Sequence, residues 1–226
     1  MTTAILIPAR LASTRFPQKM LANLNGVPLI RHVYQKCAAT GLDTYVLTDS
    51  DEIASVLPIE SKFIIMSEND HDNGTSRCME AIGNPLEYDW FVNVQGDMPD
   101  ITEDIIFAVK DELKYSEVST AYTKMNDDDR ADPNVVKMIH SRDRAHWFLR
   151  APLSYGDRHL GVYGYTRMSK SIYSVTKKFP EEDIENLEQL RWIQNGIKIG
   201  TVEVEFDGIE INTPDDLEYW NRLNSK

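Results

Sequence analysis

Short apolar runs alternate with segments whose apolar positions recur every three or four residues, from the amino terminus to about residue 115. Residues 4–7, 44–47, 63–66 and 90–94 read as strands, and residues 28–39, 50–57, 75–82 and 102–114 as helices. In the first helical segment Ile30, Val33, Tyr34, Cys37 and Ala38 fall on one face, with Pro28 suiting the first turn and Gly41 the end. Such alternation predicts an α/β fold with a mostly parallel sheet and right-handed crossovers. Beyond residue 115 the pattern changes. Strand-like runs follow one another at 118–125, 135–139, 145–149 and 160–166, and two helices then flank a strand at 197–206, so the second half reads as a mixed sheet plus helices. Residues 126–132 read as a polar, acidic turn, and no internal repeat or low-complexity linker divides the chain. One domain over residues 1–226, with a substrate-binding subregion, is the expected organisation.

With 226 residues, 42% hydrophobic and 27% charged, the chain is long enough to bury a substantial core. No apolar run approaches the ~18 residues of a membrane span and no basic-then-apolar leader occurs, so a cytoplasmic protein without a membrane partner is expected. Cys37 and Cys78 lack a Cys-x-x-Cys spacing and read as reduced, packed thiols. The formal net charge of −12 argues against a nucleic-acid partner, because polynucleotide backbones demand broad positive surfaces. A single basic pocket in so acidic a chain suits a small polyanion.

That pocket is predicted directly after the first strand. Pro8-Ala9-Arg10-Leu11-Ala12-Ser13-Thr14-Arg15-Phe16-Pro17-Gln18-Lys19 gathers three cations and two hydroxyls into one loop. Loops at the carboxyl ends of strands face the ligand crevice of an α/β sheet, and Arg and Lys supply the charge-assisted bonds that phosphate oxygens need. The loop reads as a triphosphate site built from side chains. Neither Gly-x-Gly-x-x-Gly nor Gly-x-x-x-x-Gly-Lys-Ser/Thr occurs, which argues against a dinucleotide fold and a P-loop NTPase.

Asn93-Val94-Gln95-Gly96-Asp97 closes another strand and brings a carboxylate to the same sheet end. By themselves Gly96 and Asp97 suit a turn. Beside the basic loop, Asp97 reads as a ligand for Mg2+, an ion usually held by one or two carboxylates with substrate oxygens and waters. His71-Asp72-Asn73-Gly74-Thr75-Ser76-Arg77 enters a helix with exposed amides, a hydroxyl and a guanidinium; capping by Asn73 or Thr75 is compatible with Arg77 reaching inward. Arg150 ends a strand, and His159, Gly161, Tyr163 and Tyr165 share one face, as a packed His and Tyr pair or as pocket walls. Glu188 and Gln189 lie in a helical stretch running to Asn195, with Gly196 as its stop, and suit either sugar hydroxyls or a solvated face.

Residues 8–19, Asn93 to Asp97, Pro133-Asn134-x-Val136-Lys137, His159 to Tyr165 and Leu187 to Arg191 together closely resemble the 3-deoxy-manno-octulosonate (Kdo) cytidylyltransferase family, the CMP-Kdo synthetases, in order through nearly the whole chain. The first-loop motif is shared with sialic-acid-activating relatives, whereas His-Leu-Gly-x-Tyr-Gly-Tyr and Leu-Glu-Gln-Leu resemble the Kdo branch more specifically. The resemblance implies a Rossmann-like nucleotidyltransferase: residues 1–115 mainly bind CTP, and 116–226 form a mixed sugar-binding and dimerisation subregion. It implies transfer of CMP from CTP to Kdo with release of pyrophosphate, a Mg2+ cofactor, a homodimer, and a role in lipopolysaccharide or a related surface glycan. By matching positions, Pro8, Ala9, Arg10, Ser13, Arg15, Lys19, Ser76, Arg77 and Gln95 would bind nucleotide, with Arg15, Lys19 and Asp97 catalytic. Arg150, His159, Tyr163, Glu188 and Gln189 would bind the sugar, and Asp97 and Asn212 the metal.

Four departures accompany the resemblance. The family's carboxyl-terminal Asp-Thr-Pro-x-Asp-Leu begins with Asn212 here, which predicts weaker or wetter Mg2+ binding; Glu210 shares a face with Asn212 in an extended segment and offers a compensating carboxylate. Thr213 and Pro214 also suit the start of a last helix. Met98 replaces an acidic residue, Gln18 replaces the glycine before Lys19, and the 151–158 connection is shorter than usual. The alternatives are a cytidylyltransferase for another acidic sugar, sialic-acid-like or a modified Kdo, and a nucleotide-binding homologue with weakened catalysis.

Overall fold

The first apolar run forms β1 (Thr3–Ala9), buried from Ala4 onward on both faces, as parallel strands covered by helices are. The structure is a computed structural model that describes residues 1–12, 16–58, 60–67, 69, 71–83 and 85–225. Its contacts gather the chain into two compact units interleaved in sequence.

The unit containing β1 comprises Thr3–Ala81, Asn93–Glu103 and residues from Asp207 on. After the loop, β2 (Asn23–Leu24) and β3 (Val27–Pro28) pair as a hairpin whose turn residues Asn25 and Gly26 have φ of 46° and 97°. The sequence reading contained no hairpin here, although Asn-Gly is the strongest short-range signal for one. The helix α1 (Leu29–Ala38) turns Leu29, Ile30, Val33 and Cys37 inward; Pro28 stands at its N-cap rather than in its first turn, and Gly41 follows it at φ 77°. β1 pairs in parallel with β4 (Asp43–Thr48), and β4 with β5 (Ile64–Met66). Between these, α2 (Asp51–Ser55) is capped by the Ser50 hydroxyl, which accepts the Ile53 N–H. α3 (Gly74–Ala81) follows β5, and β6 (Trp90–Val94) contributes its last two residues to this unit. The carboxyl-terminal helix (Pro214–Leu223) packs here too. Thr213 and Asp216 form its capping box, and Trp220 Nε1 donates to Asp100 Oδ1 at 2.9 Å. Asn25 also donates to Asn221 Oδ1 at 3.0 Å, so the hairpin and this helix are joined directly.

The other unit comprises residues 1–2, Ile82–Val92 and Asp104–Phe206. α4 (Glu103–Glu112) buries Ile105, Ile106 and Val109. β7 (Val118–Thr123), buried throughout, has an antiparallel neighbour in β10 (Asp157–Thr166) and a parallel one in β11 (Ile199–Glu203). β8 (Lys137–Ser141) runs antiparallel to β9 (Arg144–Leu149) and to the start of β10, so this half is the mixed sheet the sequence predicts. Two expectations are corrected. The acidic stretch at 126–132 contains a short helix, α5 (Asp127–Ala131), because Asn126 and Asp129 make a reciprocal capping box and three acidic residues favour its amino end. Ahead of β11 stand three short helices, α6 (Ser169–Val175), α7 (Pro180–Glu185) and α8 (Leu190–Gln194), rather than one. Asn186 ends α7 in the left-handed region at φ 52°. The carboxyl-terminal helix is α9.

Candidate functional site

Three segments singled out separately in the sequence meet in the unit of β1. Pro8 and Ala9 are buried at the end of β1, Arg10 is exposed just beyond, and Ser13 and Arg15 lie outside the described residues. A Cβ on Gly74, the first residue of α3, would stand 3.2 Å from Pro8 Cγ and 3.3 Å from Gln95 Oε1, so the helix start, the first strand end and the 93–97 segment touch. Glycine at 96 has a similar reason: a Cβ there would stand 2.7 Å from Met20 Sδ. That close approach seats the turn carrying Lys19 against the end of β6.

Lys19 Nζ lies 2.5 Å from Asp97 Oδ2, with 11% of the Lys19 side chain and 23% of the Asp97 side chain exposed. Two of the three residues predicted to be catalytic, Lys19 and Asp97, therefore form one partly buried ion pair across a separation of 78 residues; the third, Arg15, lies outside the described residues. Gln18, just before Lys19, adopts φ 55° without being glycine, the left-handed conformation that a glycine at this position accommodates without strain. Met98, which stands where the family carries an acid, is wholly buried.

Asp97 is joined to the carboxyl-terminal segment through its main chain, where Ile211 N–H donates to Asp97 O at 2.9 Å. This bond brings Asn212 next to the strand end. The Asn212 N–H donates to Asp216 Oδ2 at 2.9 Å, so its backbone serves the helix cap.

Around α3, Asn73 Oδ1 accepts the Ser76 N–H at 2.8 Å and the Ser76 hydroxyl returns a bond to Asn73 O at 2.9 Å, which settles the cap on Asn73. Arg77 is 4% exposed, and its Nη2 donates to Asp49 Oδ2 at 2.6 Å. Sequence reasoning missed Asp49. Its position one residue after β4 was the available signal, since strand ends of this sheet carry the other polar groups of the site. Gln95 Nε2 reaches Asn93 Oδ1 at 3.4 Å.

The predicted sugar-binding residues all fall in the other unit. His159 is 5% exposed, with Nε2 2.9 Å from Thr120 Oγ1, whose own proton goes to Val162 O at 2.7 Å. His159 Nε2 is therefore the donor in this pair. Burial, aided by the charge of Arg150, lowers its pKa to about 3, so the imidazole stays neutral. A register shift lies between Leu160 and Tyr163, yet the predicted shared face survives because the shift inserts an even number of residues. The rings of Phe148, His159, Tyr163 and Tyr165 follow one another with centroids 4.9, 5.4 and 6.1 Å apart. Gln189 is buried at the N-cap of α8 and Glu188 is half-buried beside it, so the pair precedes the observed helix instead of lying within a helix as predicted. The missed residue of this half is Glu182, 4% exposed, which takes Arg191 Nε at 2.8 Å and Nη2 at 2.7 Å and so locks α7 to α8.

The depressed His159 pKa has a measurable consequence. Between about 6.5 and about 3 the unfolded chain binds a proton here that the folded chain does not, so stability from this group is complete above 6.5 and is lost as pH falls. In urea titrations between pH 7 and 4, the midpoint of His159→Gln is expected to fall less than that of wild type. An equal fall would show that His159 titrates alike in both states.

The cytidylyltransferase family matches residues 4–199. A 3-deoxy-manno-octulosonate cytidylyltransferase from a Nitratiruptor species is 36% identical over 234 residues, covering 96% of this chain and 98% of its own. This chain belongs to the Kdo cytidylyltransferase family. It is thus a nucleotidyltransferase. An 8-amino-3,8-dideoxy-manno-octulosonate cytidylyltransferase of Shewanella sp. (strain ANA-3) is 37% identical, with 96% of both chains covered. A solved CMP:2-keto-3-deoxy-manno-octonic acid synthetase complexed with CTP superposes with a TM-score of 0.89 at 32% identity, over 99% of this chain and 98% of its own. That match establishes the Rossmann-like nucleotidyltransferase fold with its mostly parallel sheet. Among the described residues no helix is long and apolar enough to cross a membrane.

Proposed function

We propose that this Kdo cytidylyltransferase family member joins CTP and 3-deoxy-manno-octulosonate to give CMP-Kdo and pyrophosphate, with Mg2+ held by Asp97 and Asn212. The observation that carries the reading is the Lys19–Asp97 pair at the end of β6, a cation and a carboxylate brought from two motifs to one place. The donor set suits the ion. Asp97 offers a carboxylate and Asn212, drawn near by the Ile211 to Asp97 bond, an amide oxygen; both are hard oxygen donors, and substrate oxygens and waters complete the shell. When bound, Mg2+ supplies charge neutralisation on the phosphates.

The chain's own residues do the rest by positioning. Pro8 and Ala9 at the strand end, with Arg10, Ser13, Arg15 and Lys19, hold the triphosphate, and the cations meet the charge that develops on departing pyrophosphate. Ser76, Arg77 and Gln95 order the nucleotide, with Asp49 fixing the Arg77 guanidinium. Arg150, His159, Tyr163, Glu188 and Gln189 line the sugar, whose anomeric hydroxyl attacks the α-phosphorus in line; the new P–O bond forms as the bond to pyrophosphate breaks. A neutral His159 acts as a hydrogen-bonding wall and not as a cation. The reading includes a homodimer, a cytoplasmic site of action, and product destined for lipopolysaccharide or a related glycan.

Pyrophosphate release with Kdo and Mg2+ tests the base choice: CTP is expected to outperform ATP and GTP, because a pocket shaped for a pyrimidine excludes the larger purines. Equal or faster turnover with ATP or GTP would overturn the assignment. A second reading, a Kdo bearing an amine at C8, is favoured by the Shewanella relative, whose 37% identity equals or exceeds that of the Kdo enzymes compared. Side-by-side kcat/KM with both sugars decides between them.

A further inference from the structure

Lys137 opens β8 with no exposed surface, and its ammonium donates to Asp132 O and, at 3.1 Å, to Arg150 O. Lysine is almost never buried so fully unless its charge is matched. Arg150 is fastened to the same turn. Its Nη1 donates to Pro133 O at 3.3 Å and Asn134 O at 3.1 Å, and its Nε to Glu185 O at 3.1 Å. Its main-chain N–H donates to Glu185 Oε2 at 3.0 Å. Two bonds from Lys137 and three from the Arg150 guanidinium thus end on main-chain carbonyls. Burial pulls the Lys137 pKa below the usual lysine value, with Asp132 and Asp129 resisting and Arg150 assisting.

Packing alone does not account for lysine here, because an apolar side chain of similar length fills such a space without the desolvation cost of an ammonium. What lysine adds is a pair of directed bonds that fix the carbonyl of Arg150 against the turn binding its guanidinium. We propose that Lys137 is a positioning residue for the acidic sugar: its buried ammonium holds Arg150 in the one arrangement that receives the sugar's carboxylate. A fixed guanidinium is the best match for that planar anion. The proposal rests on the assignment of Arg150 to the sugar site.

The test is a double-mutant cycle on the full chain with Lys137→Met, Arg150→Met and the combined variant, varying Kdo at saturating CTP and CTP at saturating Kdo. Lys137→Met is expected to raise KM for Kdo about tenfold or more, leave KM for CTP within about twofold, and add less than about twofold to Arg150→Met, since it acts through that residue. An unchanged KM for Kdo, an equal loss toward both substrates, or independent, multiplying effects in the double variant would each overturn it. Should Lys137→Met fail to fold by circular dichroism, Lys137→Leu, which likewise lacks a donor for the carbonyls, is read in the same way; failure of both to fold assigns Lys137 to the fold and overturns the proposal. Absence of wild-type turnover with any acidic sugar would instead remove the functional reading on which the proposal rests.

Discussion

Asp97→Asn is expected to lower turnover at least about 10²-fold and toward 10³-fold, the range seen when one charge-stabilising group is removed from a transition state. Two losses combine in this substitution. The carboxylate proposed for Mg2+ becomes an amide, and Lys19, only 11% exposed, loses the anion 2.5 Å away that fixes its ammonium. Asn212→Asp should act in the opposite direction. A second carboxylate beside Asp97 neutralises more of the ion's charge, so the Mg2+ concentration for half-maximal rate should fall. The measurement is a Mg2+ titration of initial pyrophosphate release for wild type and both variants, with folding checked by circular dichroism. A fully active Asp97→Asn would sink the metal reading, and an unmoved midpoint in Asn212→Asp would confine Asn212 to its bond with the α9 cap.

Lys19→Ala should reduce kcat/KM for CTP by about 10²- to 10³-fold, since it removes a charge-assisted contact to a triphosphate that gains charge as pyrophosphate leaves. The same change frees Asp97 from its ion pair, so Mg2+ binding in the absence of nucleotide should strengthen while catalysis collapses. That combination separates a catalytic cation from a structural one. Lys19→Arg is expected to recover only part of the rate, because a planar fork does not replace a compact ammonium in a site this enclosed. Near wild-type kcat/KM for Lys19→Ala would refute the role.

Much of this molecule was legible from local pattern. Strands predicted at 4–7, 44–47 and 63–66 appear as β1, β4 and β5 within one or two residues, and residues 90–94 form β6 as predicted. β1 and β6 are buried along nearly their whole length, as continuous apolar runs in a helix-covered sheet are, whereas β5 is only half-buried and exposes Met66. Local chemistry was less legible where several short elements share few residues. The three helices between β10 and β11 are five to seven residues long and are fixed by bonds such as Glu182 to Arg191, which no helical periodicity announces.

By itself the sequence determined the main strands and the longer helices in their order, the basic loop after β1, the carboxylate after β6 and the family motifs that join them, because each depends on residues close together in the chain. Only the tertiary structure decided which charge meets which. Lys19 found Asp97, Arg77 found Asp49, Ile211 carried Asn212 to Asp97, and Lys137 took the carbonyl of Arg150. Burial also set the state of His159, whose pKa falls from the ordinary 6.5 to about 3 between Thr120, Phe148 and Arg150. Partners distant in sequence and the loss of water around them are properties of the packed chain, and neither is written in any one segment of it.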